Sequence, residues 1–268
     1  MILSDNEIKN ELLIMFKELL DILESNNITY SIWAGTLLGA IRHGGFIPWD
    51  DDIDIAIERN EYEKLLGVIR SDSKLMSRFI GFEIGNTDFP FIKYINTNII
   101  VNSKRLFDKN LWIDIFPLDY VPENYGLYFK RQKQYAKDFW HYRAYLNKDF
   151  YHEVYGNLDA VRHLYHWFKV KTMIFYSREK VLFHIINNAK SVSKTEAFYL
   201  CNTINGVFEK ECLPIGKSED HIKIVFEGLE VSAIKEYDYW LTKRYGNYMV
   251  IPSKQERVTH ELSVEKLV

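Results

Sequence analysis

Between Trp49 and Ile57 the chain reads Trp-Asp-Asp-Asp-Ile-Asp-Ile-Ala-Ile, a run in which carboxylates and isoleucines alternate. Successive side chains of a strand leave on opposite faces. An extended Asp52–Ile57 therefore puts Ile53, Ile55 and Ile57 on one face and Asp52 and Asp54 together on the other. The isoleucines ask for burial. The two carboxylates, forced to project side by side, repel and raise one another's pKa unless a cation lies between them. Hard oxygen ligands suit Mg²⁺ or Mn²⁺, and two such ions about 3.5–4 Å apart clamp the attacking and leaving oxygens of a phosphoryl displacement. Asp114, the lone acid of the apolar run Trp112-Ile-Asp-Ile-Phe116, is the expected third ligand, because a charge buried there needs a partner or a metal. An acidic run is more commonly a solvated turn, and the alternation after it is what argues otherwise. Asp50, Asp52, Asp54 and Glu61 also match positions 1, 3, 5 and 12 of an EF-hand loop, but position 6 is Ile55 where the sharp turn requires Gly.

The flanking sequence sets this strand in an α/β pattern. Ser4 and Glu7 have capping-box spacing, followed by Ile8, Leu12, Met15, Phe16, Leu19, Ile22 and Leu23 at helical period. Ile28–Trp33 is predicted as a strand, Leu37–Arg42 as a short helix and Glu61–Ile69 as another. Phe91–Ile95, Ile99–Asn102 and Leu111–Phe116 are predicted strands, with Pro117 ending the last. Tyr125–Ala189 is mostly helical in pattern. Ile222–Phe226 and Leu229–Val231 read as strands, and Ala233–Tyr245 as a helix. The simplest layout is an α/β catalytic core formed by residues 1–120 and 200–268, with a helical, basic and aromatic insertion over 121–199.

Trp33-Ala-Gly-Thr-Leu-Leu-Gly39 sets Gly35 and Thr36 between a strand and a helix, where backbone N–H groups attract phosphate. Thr36 is expected to cap that helix and to offer its hydroxyl. The segment lacks the Gly-Lys-Ser/Thr ending of a Walker A loop. Arg42 and His43 follow closely enough to reach a diphosphate. Lys93, inside Phe91-Ile-Lys-Tyr, reads either as a phosphate holder or as an edge-strand lysine that snorkels.

Charge and aromatic content bear on partners. The net charge of −3 conceals a split: Gly126–Lys194 carries thirteen Lys/Arg against five Asp/Glu, a balance of +8 that leaves −11 elsewhere. One part of the chain is thus suited to anions. The whole chain has 18 Tyr, 17 Phe and 6 Trp, and its basic, aromatic insertion is expected either to lie on a membrane surface or to form a lid. No nucleic-acid motif accompanies the charge. Two cysteines, Cys201 and Cys212, make neither a disulfide framework nor a zinc site, which suits a reduced, cytoplasmic setting, peripheral to the inner membrane face if the basic stretch rests there. The N-terminus lacks the basic start and apolar run of a signal peptide, and no segment has the roughly 20 apolar residues a bilayer span needs.

Taken together, Gly35-Thr-Leu-Leu-Gly-Ala-Ile-Arg-His-Gly-Gly-Phe-Ile-Pro-Trp-Asp-Asp-Asp-Ile-Asp54 closely resembles the signature of the LicD family. Trp112-Ile-Asp-Ile-Phe-Pro-Leu-Asp119 resembles its second block. Tyr245-Gly-Asn-Tyr-Met249, with Pro252, Arg257 and His260, resembles its C-terminal block, with Asn247 where an Asp is expected. Residues 121–220 match loosely. The resemblance implies a nucleotidyltransferase-like mixed sheet. It implies phosphate held by Gly35 and Thr36, and Mg²⁺ (or Mn²⁺), two ions, held by Asp52, Asp54 and Asp114. The alternating W-D-x-D-x-D pattern adds Asp50 and leaves Asp51 aside. It further implies transfer of phosphocholine from CDP-choline to a sugar of teichoic acid or lipopolysaccharide, on a lipid-linked or oligosaccharide acceptor, with ribitol or glycerol phosphate or true nucleotidyl transfer as alternatives. Arg42, His43, Lys93, Arg257 and His260 are the expected donor-phosphate ligands. A quaternary ammonium needs an aromatic cage. Trp140, Tyr142, Tyr145, Tyr165, Trp167 and Tyr176 are candidates, most of them expected to be core.

Overall fold

The computed structural model describes residues 1–102, 109–204, 208–257 and 263–267. Helix α1 (Asp5–Ser25) opens on the predicted capping box: the Ser4 backbone N–H and hydroxyl both donate to Glu7 Oε2, at 2.8 and 2.7 Å. Strand β1 (Ser31–Ile32) is shorter than predicted, since only these two residues find partners, Ala56 and Ile55. Helix α2 (Ala34–His43) ends at Gly44, which takes the left-handed φ of 73° that closes a helix without a Cβ clash. Then come β2 (Asp54–Glu58), α3 (Arg59–Ser71), β3 (Phe79–Ile80), β4 (Ile92–Asn102) and β5 (Asn110–Val121). The two strands predicted at 91–102 are one, with a register irregularity between Asn96 and Ile100.

The central sheet has the order β1-β2-β5-β4, closed at its far edge by β10 (Ser263–Lys266). β2 and β5 run parallel and the other pairs are antiparallel, so the sheet is mixed. β3 flanks β4, and β6 (Tyr199–Cys201), itself paired with β7 (Leu213–Pro214), joins β5 further along. Pro117 does not end β5. Asp114 donates its N–H to the carbonyl of Ile53, just before β2, so by alternation position 117 faces the other neighbour. On that side β4 pairs only as far as Ile115, and β6 begins at Asp119. The proline sits where no ladder hydrogen bond is required, a place a strand tolerates it.

Ile53, Ile55 and Ile57 are buried as the alternation predicts, but the opposite face of β2 is covered too: Ala56 is buried and Asp54 is only 8% exposed. Helices α1 and α3 pack on the isoleucine side, where the Tyr94 hydroxyl donates to Glu18 of α1 and the Ile92 N–H donates to the Tyr62 hydroxyl of α3. The acids therefore point to the other side. At the far end of β5, Asp119 is fully buried and accepts from Arg59 at 2.6 and 2.7 Å and from Thr203 at 2.6 Å, joining β5 to α3 and to the segment after β6.

Residues beyond β5 form helices α4 (Gly126–Leu146), α5 (Lys148–Tyr155), α6 (Ala160–Thr172) and α7 (Arg178–Ala189), with small apolar clusters of their own. α4 lies against α7, and Gln132 donates to the Ile185 carbonyl across the pair. The chain then makes the hairpin β8 (His221–Phe226) and β9 (Leu229–Ile234) and helix α8 (Tyr237–Tyr245). α8 begins later than predicted, because Ala233 and Ile234 still pair with Ile222 and His221.

Candidate active site

Three neighbouring strands put three charges in one row. Asp54 on β2 is in register with Asp114 on β5, which is in register with Lys93 on β4. Adjacent strands lie about 4.8 Å apart, so the side chains leave the same face at the spacing of direct neighbours. The sheet, not local flexibility, holds the two carboxylates together. Burial, and then the carboxylates of Asp52, Asp114 and Asp50 in that order, push the Asp54 carboxyl well above the usual carboxylate range, with Lys93 pulling the other way. Asp52 lies just before the strand, which begins at Asp54 and not at Asp52.

Lys93 is not the edge-strand lysine that one reading allowed. β4 lies inside the sheet, Lys93 is buried, and its Nζ is 2.9 Å from Asp114 Oδ1. Phe89, Trp112 and Phe91 surround the ammonium at 4.5, 4.7 and 5.6 Å from their ring centroids. An ammonium taken out of water is tolerated there because a carboxylate and three ring faces replace hydration.

The glycine segment closes over the acids from α2. The Asp54 N–H donates to the Thr36 hydroxyl at 2.8 Å, and the Trp33 N–H donates to the Asp54 carbonyl at 2.9 Å. Thr36 is therefore not the helix cap predicted; Trp33 occupies that position, and the buried threonine pins the start of β2. A Cβ on Gly35 would lie 2.6 Å from Asp50 Oδ2, so the Asp50 carboxylate lies directly on the Gly35 backbone. Ala34 takes φ 45°, a strained value for a residue with a Cβ, at the residue that opens this helix.

Arg42, His43 and Arg257 gather on Trp49, the residue before Asp50. Arg257 stacks 4.1 Å from the ring centroid and Arg42 lies at 6.0 Å, with the His43 ring edge-on at 6.2 Å. Arg42 donates its Nε–H to His43 Nε2 at 2.9 Å and an Nη1–H to the Tyr248 carbonyl at 2.8 Å. Burial, and then the Arg42 charge, lowers the His43 pKa. The imidazole thus serves as a neutral acceptor. His260 falls outside the described residues.

The profile of the LicD/FKTN/FKRP nucleotidyltransferase domain matches residues 27–170, more than half of the chain and the part that contains both acid-bearing strands. The chain belongs to the LicD family. It is 24% identical over 251 residues to the lipopolysaccharide cholinephosphotransferase LicD of Haemophilus influenzae, a match that covers 89% of each protein. It is 28% identical over 229 residues to an uncharacterized protein of Rickettsia prowazekii, covering 84% of this chain and 77% of that one. The human ribitol 5-phosphate transferase FKRP shares 29% over 106 residues, 38% of this chain and 19% of FKRP. The chain is thus an enzyme of the LicD type.

Whether the LicD acids suit a divalent ion turns on their chemistry and spacing. All are hard oxygen donors, and Asp54, buried among three other acids, is the environment a cation relieves. Among the described residues no group of three or more His, Cys, Asp or Glu side chains is already set to hold a metal. Asp114 Oδ1 faces Lys93, so closure on an ion would draw on its other oxygen or turn it away from the lysine. The residues fit by type and by strand register, with the last adjustment left to side-chain rotation.

Two further residues border this region: Tyr245, which opens the C-terminal block, and Glu227, which carried no sequence signal of its own. Tyr245, the last residue of α8, is 38% exposed and sets its ring edge-on to the buried Trp240 at 6.2 Å between centroids. Glu227, in the β8–β9 turn with φ 50°, accepts the Phe46 N–H at 2.9 Å and donates its own N–H to the Gly44 carbonyl at 3.1 Å, clasping the loop that leads to Trp49. A Cβ on Gly45 would lie 2.0 Å from Glu227 Oε1.

The aromatic cage candidates depart from expectation. Trp140, Tyr145, Tyr165, Trp167 and Tyr176 are exposed, not core, and Tyr142 is half-buried. Trp140 and Tyr165 help line a cavity of about 580 Å³ between α4, α5 and α6, together with Lys137, His141, Tyr155 and His166. His141 and His166 share a 3.0 Å contact there. A lysine in the wall makes this an unfavourable cage for a second cation.

Proposed function

We propose that this LicD enzyme transfers phosphocholine from CDP-choline to a sugar hydroxyl of a cell-surface glycan precursor, on a lipid-linked or oligosaccharide acceptor, and releases CMP. The observation that carries the reading is the registered Asp54–Asp114 pair, with Asp54 buried and the half-buried Asp52 and Asp50 close to it, beside a phosphate-attracting helix start. It is supported by likeness to the Haemophilus influenzae cholinephosphotransferase along 89% of the chain. Asp52, Asp54 and Asp114 would hold Mg²⁺ or Mn²⁺, two ions in this reading. When bound, such ions neutralise a diphosphate and lower the pKa of an attacking hydroxyl.

The chain's own groups divide the remaining work. The acceptor oxygen forms a bond to the choline-bearing phosphorus as the bond from that phosphorus to the CMP oxygen breaks. Asp114 or Asp50 accepts the hydroxyl proton. Gly35 and Thr36 orient the donor's phosphates from the start of α2, and Arg42, His43, Lys93, Arg257 and His260 hold their charge. The helices over residues 121–199 are an insertion in a catalytic core made of 1–120 and 200–268. A second reading, transfer of ribitol phosphate or another CDP-linked polyol phosphate, is favoured by the likeness to the ribitol 5-phosphate transferase over 106 residues.

The test is turnover of CDP-choline with Mg²⁺ and an amino-sugar glycolipid, wild type beside Asp52→Asn. Acceptor-dependent CMP from wild type alone supports the proposal. CMP only from CDP-ribitol or CDP-glycerol moves it to the second reading. Pyrophosphate release from a nucleoside triphosphate would replace both with nucleotidyl transfer.

A further inference from the structure

Helix α6 turns its apolar stripe away from the protein. Val161, Leu164 and Phe168 fall on one stripe at helical spacing, and they are 78%, 64% and 61% exposed. Val170 is buried on the opposite side, where His163 and His166 are half-covered. The patch continues into the following turn through Ile174 and Phe175, the latter 84% exposed. A continuous apolar face of this kind on a water-exposed helix marks a surface made for something else.

The charges around the stripe indicate what that is. Tyr165 and Lys169, Trp167 and Lys171, and Tyr176 and Lys180 are three aromatic–lysine pairs, each four residues apart. Each ammonium lies over its ring, at 5.9, 5.8 and 5.5 Å from the centroid. Between Ala160 and Lys180 the basic residues are Arg162, Lys169, Lys171, Arg178 and Lys180, against the single acid Glu179. Two copies of this face brought together would set lysines against lysines. An anionic bilayer instead accepts the apolar stripe among its acyl chains, the Tyr and Trp rings at headgroup depth and the ammonium groups at the phosphates. Among the described residues no helix is long and apolar enough to cross a membrane, so the contact is one of lying on the surface.

We infer that α6 and the turn after it form a docking face for an anionic lipid bilayer. The inference stands independently of which group the enzyme transfers. It is tested by sedimenting the full chain with vesicles of phosphatidylcholine alone or with about 30% phosphatidylglycerol, at low and high salt. Wild type is expected to pellet with the anionic vesicles, and about tenfold less with neutral vesicles or in high salt. The double variants Phe168→Ser/Phe175→Ser and Lys169→Glu/Lys171→Glu should each lose about tenfold in binding, with unchanged melting and unchanged turnover of a soluble acceptor. Val161→Ser/Leu164→Ser provides a second apolar test on the same stripe. Wild type that ignores anionic vesicles, or serine variants that bind as wild type does, overturns the inference. So does a concentration-dependent dimer that the serine variants abolish, which would assign the face to a second copy. Serine variants that bind vesicles normally but lose soluble turnover would make the helix a lid.

Discussion

Asp54 is a carboxylate 8% exposed in the middle of a sheet, whereas Phe175 is a benzyl group 84% exposed beyond the end of a peripheral helix. Each stands in the solvent environment that suits the other. The acid is held there by strand register, which fixes its neighbours Asp114 and Lys93 whatever their charge. The phenylalanine extends, in the turn after α6, the apolar stripe that helical period gathers on the side of α6 the core does not cover. The acid row suits a compact hard charge, and the helix a broad soft surface. Misplaced polarity in a folded chain therefore describes a fitting partner by size as well as by sign.

That contrast can be broken most forcefully at the acids. Asp54→Asn is expected to lower transfer by on the order of 10²–10³-fold, the scale of losing one preorganised electrostatic group. It should leave vesicle binding unchanged, while Phe168→Ser/Phe175→Ser does the reverse. Loss of both functions in either variant, measured by CMP release and sedimentation, would show that the two faces are one device. Next in size, Lys93→Met leaves the half-buried Asp114 without its ammonium and should destabilise by about 1–3 kcal/mol in urea unfolding. Adding Asp114→Leu should recover much of that loss, since a pair replaced by apolar groups costs little; no recovery would mean that the three rings, not the carboxylate, hold the lysine.

A smaller effect belongs to the helices. Burial, and then the neighbouring His166, depress His141 from 6.5 to about 4. The unfolded chain then binds the extra proton between these values and the folded chain does not, so stability falls as pH drops from about 6.5 towards about 4. Melting followed by circular dichroism should show that fall in wild type and a flatter profile in His141→Gln. Identical profiles would remove the histidine pair as its cause. Smallest is Gly45→Ala, whose Cβ displaces Glu227 and weakens its bond to Phe46. A cost of about 0.5–1.5 kcal/mol is expected, and it should vanish in a Glu227→Ala background.

The acid row was legible because period-2 alternation states its geometry within eight residues, and because one charge in an apolar strand, Asp114 or Lys93, is conspicuous. That Lys93 and Asp114 face each other was not, since strand order is a property of the whole chain. Trp140, Tyr145, Tyr165, Trp167 and Tyr176 were expected to be mostly core and are exposed for a related reason. Helical spacing gathers a face, and spacing cannot say which side of a helix meets the protein. Pro117 illustrates the same limit: a proline ends a strand only where its neighbour needs the missing N–H. The Glu227 clasp joins residues some 180 positions apart, and nothing local announces it.

The hand-over at Pro117 has a mechanical consequence. Before it, β5 carries Asp114 between β2 and β4; after it, the same strand pairs with β6, and the chain leaves it for α4 and returns to it from α7. The acid and the helices thus hang from one stiff spar, clamped at its far end by Asp119 in the grip of Arg59 and Thr203. Whatever surface seats α6 would also set the height at which Asp114 stands above it, so the enzyme would carry a built-in ruler that selects acceptors by how far their hydroxyl protrudes.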